Sequence, residues 1–462
     1  MPETVYMPQK FEFFLRKTGE LFHDSGHSIY LVGGAVRDML LGSGQGHPPD
    51  LDFTTSAPAS SIPRIVRPIA KAVYPKSPAK GFDTQGVVTE NGLEIEITPF
   101  RRAEGIPADP SALPSPACDP RAPGPADPAL HADLLSRDFT LNAIAMDIAP
   151  PGFKTLVDVC GGIADLELKL LRTPVDPMAT LSDDPLRALR AARFCALSGF
   201  SAHPGLVASI SHVALDTQML RGVATERVRE ESFKMLEAAA PSAGIKLMRD
   251  WGLLDYWLPE VAALDKLEPA PGAAHKQNFI HTLYTLDKAA QLFPSTRADP
   301  GPDSRLFRFA VLLHDIGKPL SRTLENGEYS FAGHEKTGAE LALSVCKRLR
   351  LSNSQTHYVV GIVRMHHRIS DYSAEWTDAA VRRALHDMGN LYEEILALSR
   401  ADISTSEPQT AAARLERIDH FEHRAADLRD RAEIRDPRPP IDGNDIMRIL
   451  GVPPGPGIGR AM

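Results

Sequence analysis

Leu31-Val32-Gly33-Gly34-Ala35-Val36-Arg37-Asp38, followed closely by Asp50-Leu51-Asp52-Phe53-Thr54-Thr55, is the stretch of this chain that decides its fold. The first half reads as a strand that ends in two glycines and opens a helix. Such a junction lets backbone N–H groups approach a phosphate, and Arg37 adds a charged donor beside it. In the second half two carboxylates stand two residues apart, and on a strand residues i and i+2 share a face. A Gly-Gly turn alone would be an ordinary loop, and an acidic strand end alone would be a solvated surface. Together they make a phosphate cradle beside paired acids, the arrangement that a divalent-cation site for nucleotide chemistry needs.

The bulk numbers limit the alternatives. A chain of 462 residues with 43% hydrophobic residues is long enough for two or more domains, each with its own core. A net charge of −8 argues against a uniformly basic nucleic-acid coat but leaves local patches open. Cys118, Cys160, Cys195 and Cys346 are scattered without metal-type spacing, which fits a reducing compartment. Met1–Gly19 is charged throughout, with no apolar core of a signal peptide, and no run is long enough to span a membrane. The expectation is a cytoplasmic protein without membrane association.

Outward from the opening motif, Ser28–Val32 and Leu93–Phe100 read as strands and Ile62–Val73 as a helix despite Pro68. Eight prolines crowd residues 103–129, which excludes a regular helix or a central strand there and predicts a mobile insertion loop. From Pro185 onward the pattern is helical. Apolar periodicity runs through Leu186–Leu197, Thr225–Ala238, Phe279–Leu292, Leu306–His314, Thr337–Leu349 and Glu375–Met388.

Two further clusters carry chemistry. In Ser136-Arg137-Asp138-Phe139-Thr140-Leu141-Asn142-Ala143, Arg137 can reach a phosphate and Asp138 can accept from a ribose hydroxyl. In Asp183-Asp184-Pro185-Leu186-Arg187, Pro185 suits a first helical position and Asp184 an N-cap. Arg187, Arg190 and Arg193 then recur every three residues, a slanted stripe able to hold a triphosphate, while Asp184 and Arg187 together could read a base edge. The last cluster is His314-Asp315 at the end of an apolar helix, with His281 upstream and His334, His366, His367 and Asp402 downstream. Imidazoles and carboxylates spread over several helices suit a transition metal or Mg²⁺.

Taken together, these motifs resemble the class II tRNA nucleotidyltransferases (CCA-adding enzymes) and the related bacterial poly(A) polymerases of the DNA polymerase β-like superfamily. GGAVRD at 33–38, DLD at 50–52, SRDFTLNA at 136–143, DDPLRALRAARF at 183–194 and TERVREE at 225–231 follow the family's order. The resemblance implies an α+β chain: a small mixed α/β nucleotidyltransferase head, then a mostly helical neck and body containing an HD domain. The expected boundaries are a head at 1–175, a nucleotide- and RNA-binding neck at 176–264, an HD domain at 265–410 and a C-terminal segment at 411–462. The implied activity is template-independent, Mg²⁺-dependent addition of CCA to tRNA 3′ ends from CTP and ATP, releasing pyrophosphate. Asp50 and Asp52 would be catalytic and hold Mg²⁺, with Glu96 the best candidate for a third acid. Gly33, Gly34, Arg37 and Arg137 would contact the nucleotide, with Asp138 near its ribose. Asp184 and Arg187 would pair with the base, and Arg190 and Arg193 would bind the triphosphate. In the HD domain His281, His314, Asp315 and Asp402 would hold a second divalent metal, with His334 and His366 as further candidates. Gly443–Arg460 resembles the family's segment that follows the HD domain.

Two alternatives stay open. One is a narrower CC-adding, A-adding or poly(A)-tailing transferase. The other is an HD metal-dependent phosphohydrolase whose N-terminal half only binds RNA. Contact with tRNA is expected from local basic helices such as Lys347-Arg348-Leu349-Arg350 and Arg382-Arg383.

Overall fold

The computed structural model describes residues 9–42, 51–76, 83–101, 127–267, 278–293, 303–325, 328–403 and 407–430. Asp50, most of the Pro-rich stretch and Gly443–Arg460 lie outside the described residues. The chain divides into two compact units, one of residues up to Arg227 with Asp250–Leu253, the other of Val228–Arg249 and residues from Leu254 onward.

The first unit opens with α1 (Gln9–Asp24), β1 (Ile29–Val32), α2 (Gly34–Leu40), β2 (Leu51–Thr55) and α3 (Ile62–Val66). β3 (Ala70–Pro75), β4 (Gln85–Thr89), β5 (Glu94–Pro99), α4 (Pro128–Leu135), β6 (Ile144–Asp147), β7 (Leu156–Asp158) and α5 (Gly162–Glu167) follow. The seven strands form one mixed sheet in the order β3-β4-β5-β2-β1-β6-β7, with β2 in the middle. β2 and β5 run parallel, with Asp52 opposite Glu96, and β1 and β2 run antiparallel, with Val32 opposite Asp52. Leu31, Val32, Leu51 and Phe53 are buried, so the middle of the sheet is anchored in the core and holds the Asp52 position steady.

The helix expected over Ile62–Val73 stops at Val66, and Ala70–Pro75 becomes an edge strand paired with β4. Pro68 lacks a donor and blocks helix continuation, and pairing with β4 then decides the conformation of the residues after it.

A two-residue strand β8 (Leu170–Leu171), α6 (Pro177–Asp183), α7 (Leu186–Ser198), β9 (Ser201–Ala202), α8 (Pro204–Leu215) and α9 (Thr217–Arg221) complete the unit, and α10 (Thr225–Leu236) begins in it. α7 buries Leu186, Ala188, Leu189, Ala191, Ala192 and Phe194, and Gly199 ends it in the left-handed region at φ 66°. Phe194 meets Phe139 edge-on at 5.4 Å between ring centroids, which fixes the arginine stripe relative to the 136–143 motif.

The second unit is almost wholly helical: α11 (Ser242–Asp250), α12 (Leu254–Trp257), α13 (Pro259–Asp265), α14 (Asn278–Leu292), α15 (Ser304–Leu313) and α16 (Lys318–Ser321). After the hairpin of β10 (Thr323–Glu325) and β11 (Glu328–Ser330) come α17 (His334–Arg348), α18 (Asn353–Met365), α19 (Asp378–Met388), α20 (Tyr392–Ala401) and α21 (Pro408–Asp430). Ile418, Phe421, Ala425 and Leu428 of α21 join one apolar cluster with residues between Ile369 and Ile403. Arg400 also ties α20 to Asp419 and Glu422 at 2.7 and 2.6 Å. No helix among the described residues is long and apolar enough to cross a membrane.

Candidate functional site

Gly33 stands between β1 and α2 at φ 74°, a conformation that an L side chain adopts only at a cost. A Cβ there would lie 3.4 Å from Asp52 Oδ2 and 3.8 Å from Arg137 Nη1. The glycine turn, the acid of the middle strand and the arginine of the second motif therefore converge on one point. The missing Cβ leaves the room that a phosphate approaching the turn requires. Asp52 and Glu96 lie opposite each other on parallel strands, so both carboxylates belong to one sheet face. Glu96 is paired with Lys76.

Arg37 Nε donates to Asp38 Oδ1 at 2.8 Å, and its Nη1 to Asn142 Oδ1 at 2.9 Å. Asn142 in turn donates to Asp138 Oδ1 at 3.0 Å, and Arg190 donates to Asp138 Oδ2 from Nε and Nη2 at 3.0 and 2.6 Å. Burial would push the Asp138 carboxyl up. The Arg190 charge, with the hydrogen bonds of Asn142 and Arg190, outweighs burial and holds it well below the usual carboxylate range. Arg193 lies over the Phe194 ring at 4.6 Å.

Asp184 does not serve as the N-cap of α7. Pro185 occupies that position, and the Asp184 carboxylate accepts two hydrogen bonds from Arg227, at 3.1 and 2.6 Å. Arg187 is buried, bonded to the carbonyls of Thr180 and Ser136 at 3.1 and 3.0 Å and ion-paired with Asp183 at 2.9 Å. Arg227 thus holds the Asp184 side chain and two main-chain carbonyls hold that of Arg187, while the Arg187 backbone N–H donates to the Asp184 carbonyl at 3.0 Å.

Sequence reasoning missed two supports of this site. One is Arg227, whose signal was its place in the TERVREE motif. The other is Asp133, fully buried on α4, whose carboxylate accepts from Arg137 Nη2 and from the Arg101 backbone N–H, both at 3.0 Å. Its signal was the four-residue helical spacing from Arg137.

The histidine cluster of the second unit assembles around Asp315. Asp315 Oδ2 lies 3.4 Å from His281 Nε2 and 3.3 Å from His314 Nε2. Its Oδ1 faces His334 Nε2 at 3.4 Å and His366 Nε2 at 3.9 Å. Asp402 Oδ1 is 2.9 Å from His281 Nε2 and 3.6 Å from His314 Nε2. His367, not among the expected ligands, joins His334 and His366 with ligating atoms within 4.8 Å of one another.

Three imidazoles are oriented alike. Nδ1 of His314, His334 and His366 each donates to the carbonyl three residues earlier, at 2.7, 2.8 and 2.6 Å. A carbonyl can only accept, so the neutral rings turn bare Nε2 lone pairs inward, the tautomer of metal-ligating histidines. His334 Nε2 and His366 Nε2 stand 3.2 Å apart, two lone pairs facing each other unless a cation lies between them. Close as these approaches are, among the described residues none meets the buried atoms His314 Nε2, Asp315 Oδ1 and Asp402 Oδ1 with hydrogen-bond geometry. This donor set fits a divalent cation. Burial would lower the His314 pKa, but Asp315 and Asp402 push it up to about 10, so a cation bound at Nε2 has to displace the proton that these carboxylates favour there. Burial would raise Asp315, and the charges of His314 and Lys318 hold it well below the usual range.

Gly317 makes this packing possible. A Cβ on it would sit 2.1 Å from the His334 carbonyl oxygen and 2.5 Å from Gly338 N. A cavity of about 800 Å³ opens on the His334–His367 side, its wall carrying Lys318, Arg364 and Arg368 together with Glu335, Asp371 and Asp387.

Comparison with known proteins matches three family models to the chain. Residues 29–172 match the poly A polymerase head domain, 199–264 the probable RNA and SrmB- binding site of polymerase A, and 278–405 the HD domain. The head and HD families are divalent-metal dependent. The chain is 30% identical over 440 residues to the A-adding tRNA nucleotidyltransferase of Deinococcus radiodurans, covering 94% of this chain and 89% of that protein. It is also 30% identical over 440 residues to the CC-adding tRNA nucleotidyltransferase of Thermus thermophilus, covering 93% and 87%. The Bacillus stearothermophilus CCA-adding enzyme, solved in complex with CTP, shares the fold at TM-score 0.59 and 23% identity over 98% of this chain and 91% of that one. With a head of this family, an arginine-striped helix after it and an HD domain in the body, the chain belongs to the tRNA nucleotidyltransferases, the family of the CCA-, CC- and A-adding enzymes.

Proposed function

We propose that this chain builds the CCA end of tRNA by nucleotidyl transfer from CTP and ATP. The observation that carries the reading is the convergence of Gly33, Asp52 and Arg137 at the open end of β1. The RNA 3′-hydroxyl attacks the α-phosphorus in line, a P–O bond forms, the α–β bridging P–O bond breaks, and pyrophosphate leaves. Asp50 and Asp52 would hold Mg²⁺, which neutralises charge on the reacting phosphates when bound. Gly33 and Gly34 let the backbone approach the phosphates, and Arg37 and Arg137 bring positive charge to them. Asp138 offers a carboxylate to the ribose, and Arg190 and Arg193 face the triphosphate. Asp184, fixed by Arg227, and Arg187, fixed by main-chain carbonyls, present an acceptor and a donor fork to the base edge. Preset side chains of this kind select a base without a nucleic-acid template.

A narrower activity, CC or A addition alone, is favoured by one observation: the A-adding and CC-adding relatives each align over nearly the whole chain. In the second unit, His281, His314, Asp315, Asp402, His334 and His366 would hold a divalent cation, and Lys318, Arg364 and Arg368 in the adjoining cavity offer donors to the oxygens of a phosphate ester. The cytoplasm is the compartment that this reading assigns.

Substitution tests the division of labour. Asp50→Ala should abolish nucleotide transfer and spare phosphohydrolysis, whereas His314→Ala should do the reverse. Loss of both activities in either variant would contradict two independent centres.

A further inference from the structure

Thr140–Asn142 form one 3₁₀ turn just before β6, and its backbone is held in place by the segment that follows α5. The Thr140 N–H donates to the Arg172 carbonyl at 2.9 Å, and Thr140 Oγ1 donates to Asp165 Oδ2 at 2.6 Å. Asp165 is fully buried and is itself held by Arg172, whose Nε donates to Oδ2 at 3.0 Å and whose Nη2 pairs with the other oxygen. The turn therefore carries Asn142, which is buried, on a rigid support.

The Asn142 amide spans two groups of opposite charge. Its Oδ1 accepts from Arg37 Nη1 at 2.9 Å, and its Nδ2 donates to Asp138 Oδ1 at 3.0 Å. The partners fix which end is which, because a guanidinium can only donate and an ionised carboxylate can only accept. An alanine at 142 could make neither bond, and an aspartate could make only the first. Asp138 Oδ2 is taken by Arg190, and Oδ1 also accepts from the adjacent Phe139 N–H at 2.8 Å. Asn142 thus supplies the side-chain tether on Oδ1, and the same amide ties that carboxylate to Arg37. In the proposed reaction these two neighbours face different parts of the nucleotide, Arg37 its phosphates and Asp138 its ribose.

We infer that Asn142 is a positioning residue that determines specificity for the sugar: it holds the Asp138 carboxylate at the angle that meets a 2′-hydroxyl, and so selects ribonucleoside triphosphates over their 2′-deoxy counterparts. A carboxylate turns about its Cβ–Cγ bond unless both oxygens are held. Without the Asn142 donor the ribose hydroxyl meets a misdirected acceptor, and a hydrogen bond weakens steeply with angle. The inference deepens the proposed nucleotidyl transfer and rests on it.

The test compares CTP with dCTP in the full chain, for the parent, Asn142→Ala and Asn142→Asp. Two quantities are measured for each nucleotide: the equilibrium Kd, and kcat/KM on a tRNA transcript ending at the discriminator base. The parent should favour CTP by both measures, and each variant should shrink that preference by roughly 10-fold, the worth of one hydrogen bond to a charged group. Asn142→Asp is nearly isosteric and keeps an acceptor for Arg37, so it reads the lost donor alone and keeps the test open if Asn142→Ala fails to fold. A purely structural role would weaken CTP and dCTP equally, and a ratio that stays at the parent's value in the folded variants would overturn the inference. So would a parent that shows no preference for CTP or binds neither nucleotide. A parent that prefers CTP in binding, and loses that preference in the variants, but extends no RNA would uphold the role of Asn142 and defeat the transferase reading, so the two failures differ.

Discussion

Asp138 and Arg190 are a pair in which stability meets the proposed chemistry. Asp138 is held ionised against its burial by Arg190, with Asn142 bonded to its other oxygen. Arg190→Gln leaves a buried carboxylate without its counter-charge, and the expected loss is about 3 kcal/mol at pH 7. The sign of the pH dependence follows from the depressed pKa. The pair's contribution is present above the unfolded-state value, about 3.9, and is lost as pH falls through it toward the folded value. Urea midpoints of parent and variant should therefore converge on acidification below about pH 4; a gap that stays constant would place the stabilisation elsewhere. Gly33→Ala tests the cradle. The positive φ and the crowding against Asp52 should cost about 1 kcal/mol in stability, and steady-state kinetics should show a fall in transfer of roughly 100-fold through misplacement of the reacting groups.

At the scale of elements, much was readable in advance, for identifiable reasons. The strand–Gly-Gly–helix junction and α7 appear where the periodicity puts them, because local propensity and burial agree there. The helices expected at 225–238, 279–292, 306–314, 337–349 and 375–388 form within about a turn of those limits. Residues 70–75 were misread because β4, a partner distant from the local pattern, makes them a strand. The capping role expected of Asp184 was lost to Arg227, forty-three residues away, which no local spacing could reveal. His367 stands in the cluster read from the sequence but not among the expected ligands; it lies just past the end of α18, within reach of His334 and His366. α21 supplies a test of packing. Phe421 is fully buried in the cluster shared with α19 and α20, so Phe421→Ala should destabilise the second unit by about 3–5 kcal/mol. Thermal unfolding that is unchanged would mean that α21 does not belong to that core. Gly317→Ala drives a methyl into the His334 carbonyl. It should lower the metal content measured by elemental analysis as well as the melting temperature.

At the scale of the whole molecule, the chain carries two sets of acid-rich chemistry in separate compact units. One is a carboxylate face beside a glycine turn, and the other is a nest of imidazoles around Asp315. Their physical demands differ. The first must stay open to a nucleotide and an RNA end, so its acid sits on a half-buried strand position. The second buries His314 and Asp315 almost completely and lies beside a cavity lined by side chains of both charges. Dialysis against a chelator should strip both centres. Mg²⁺ alone should then restore transfer, while restoration at the histidine site should follow the imidazole preference for transition metals. The central claim is that the first unit elongates tRNA. Its most direct test is to incubate the protein with Mg²⁺ and tRNA transcripts ending at the discriminator base, at C and at CC, supply CTP, ATP or both, and resolve the products to single nucleotides. The account predicts growth to CCA from every transcript and a stop there. Arrest at CC, addition of A only to the CC-ended transcript, or a long A tail would each contradict full CCA addition in favour of a narrower transferase. A folded protein that extends none of them would contradict the account altogether.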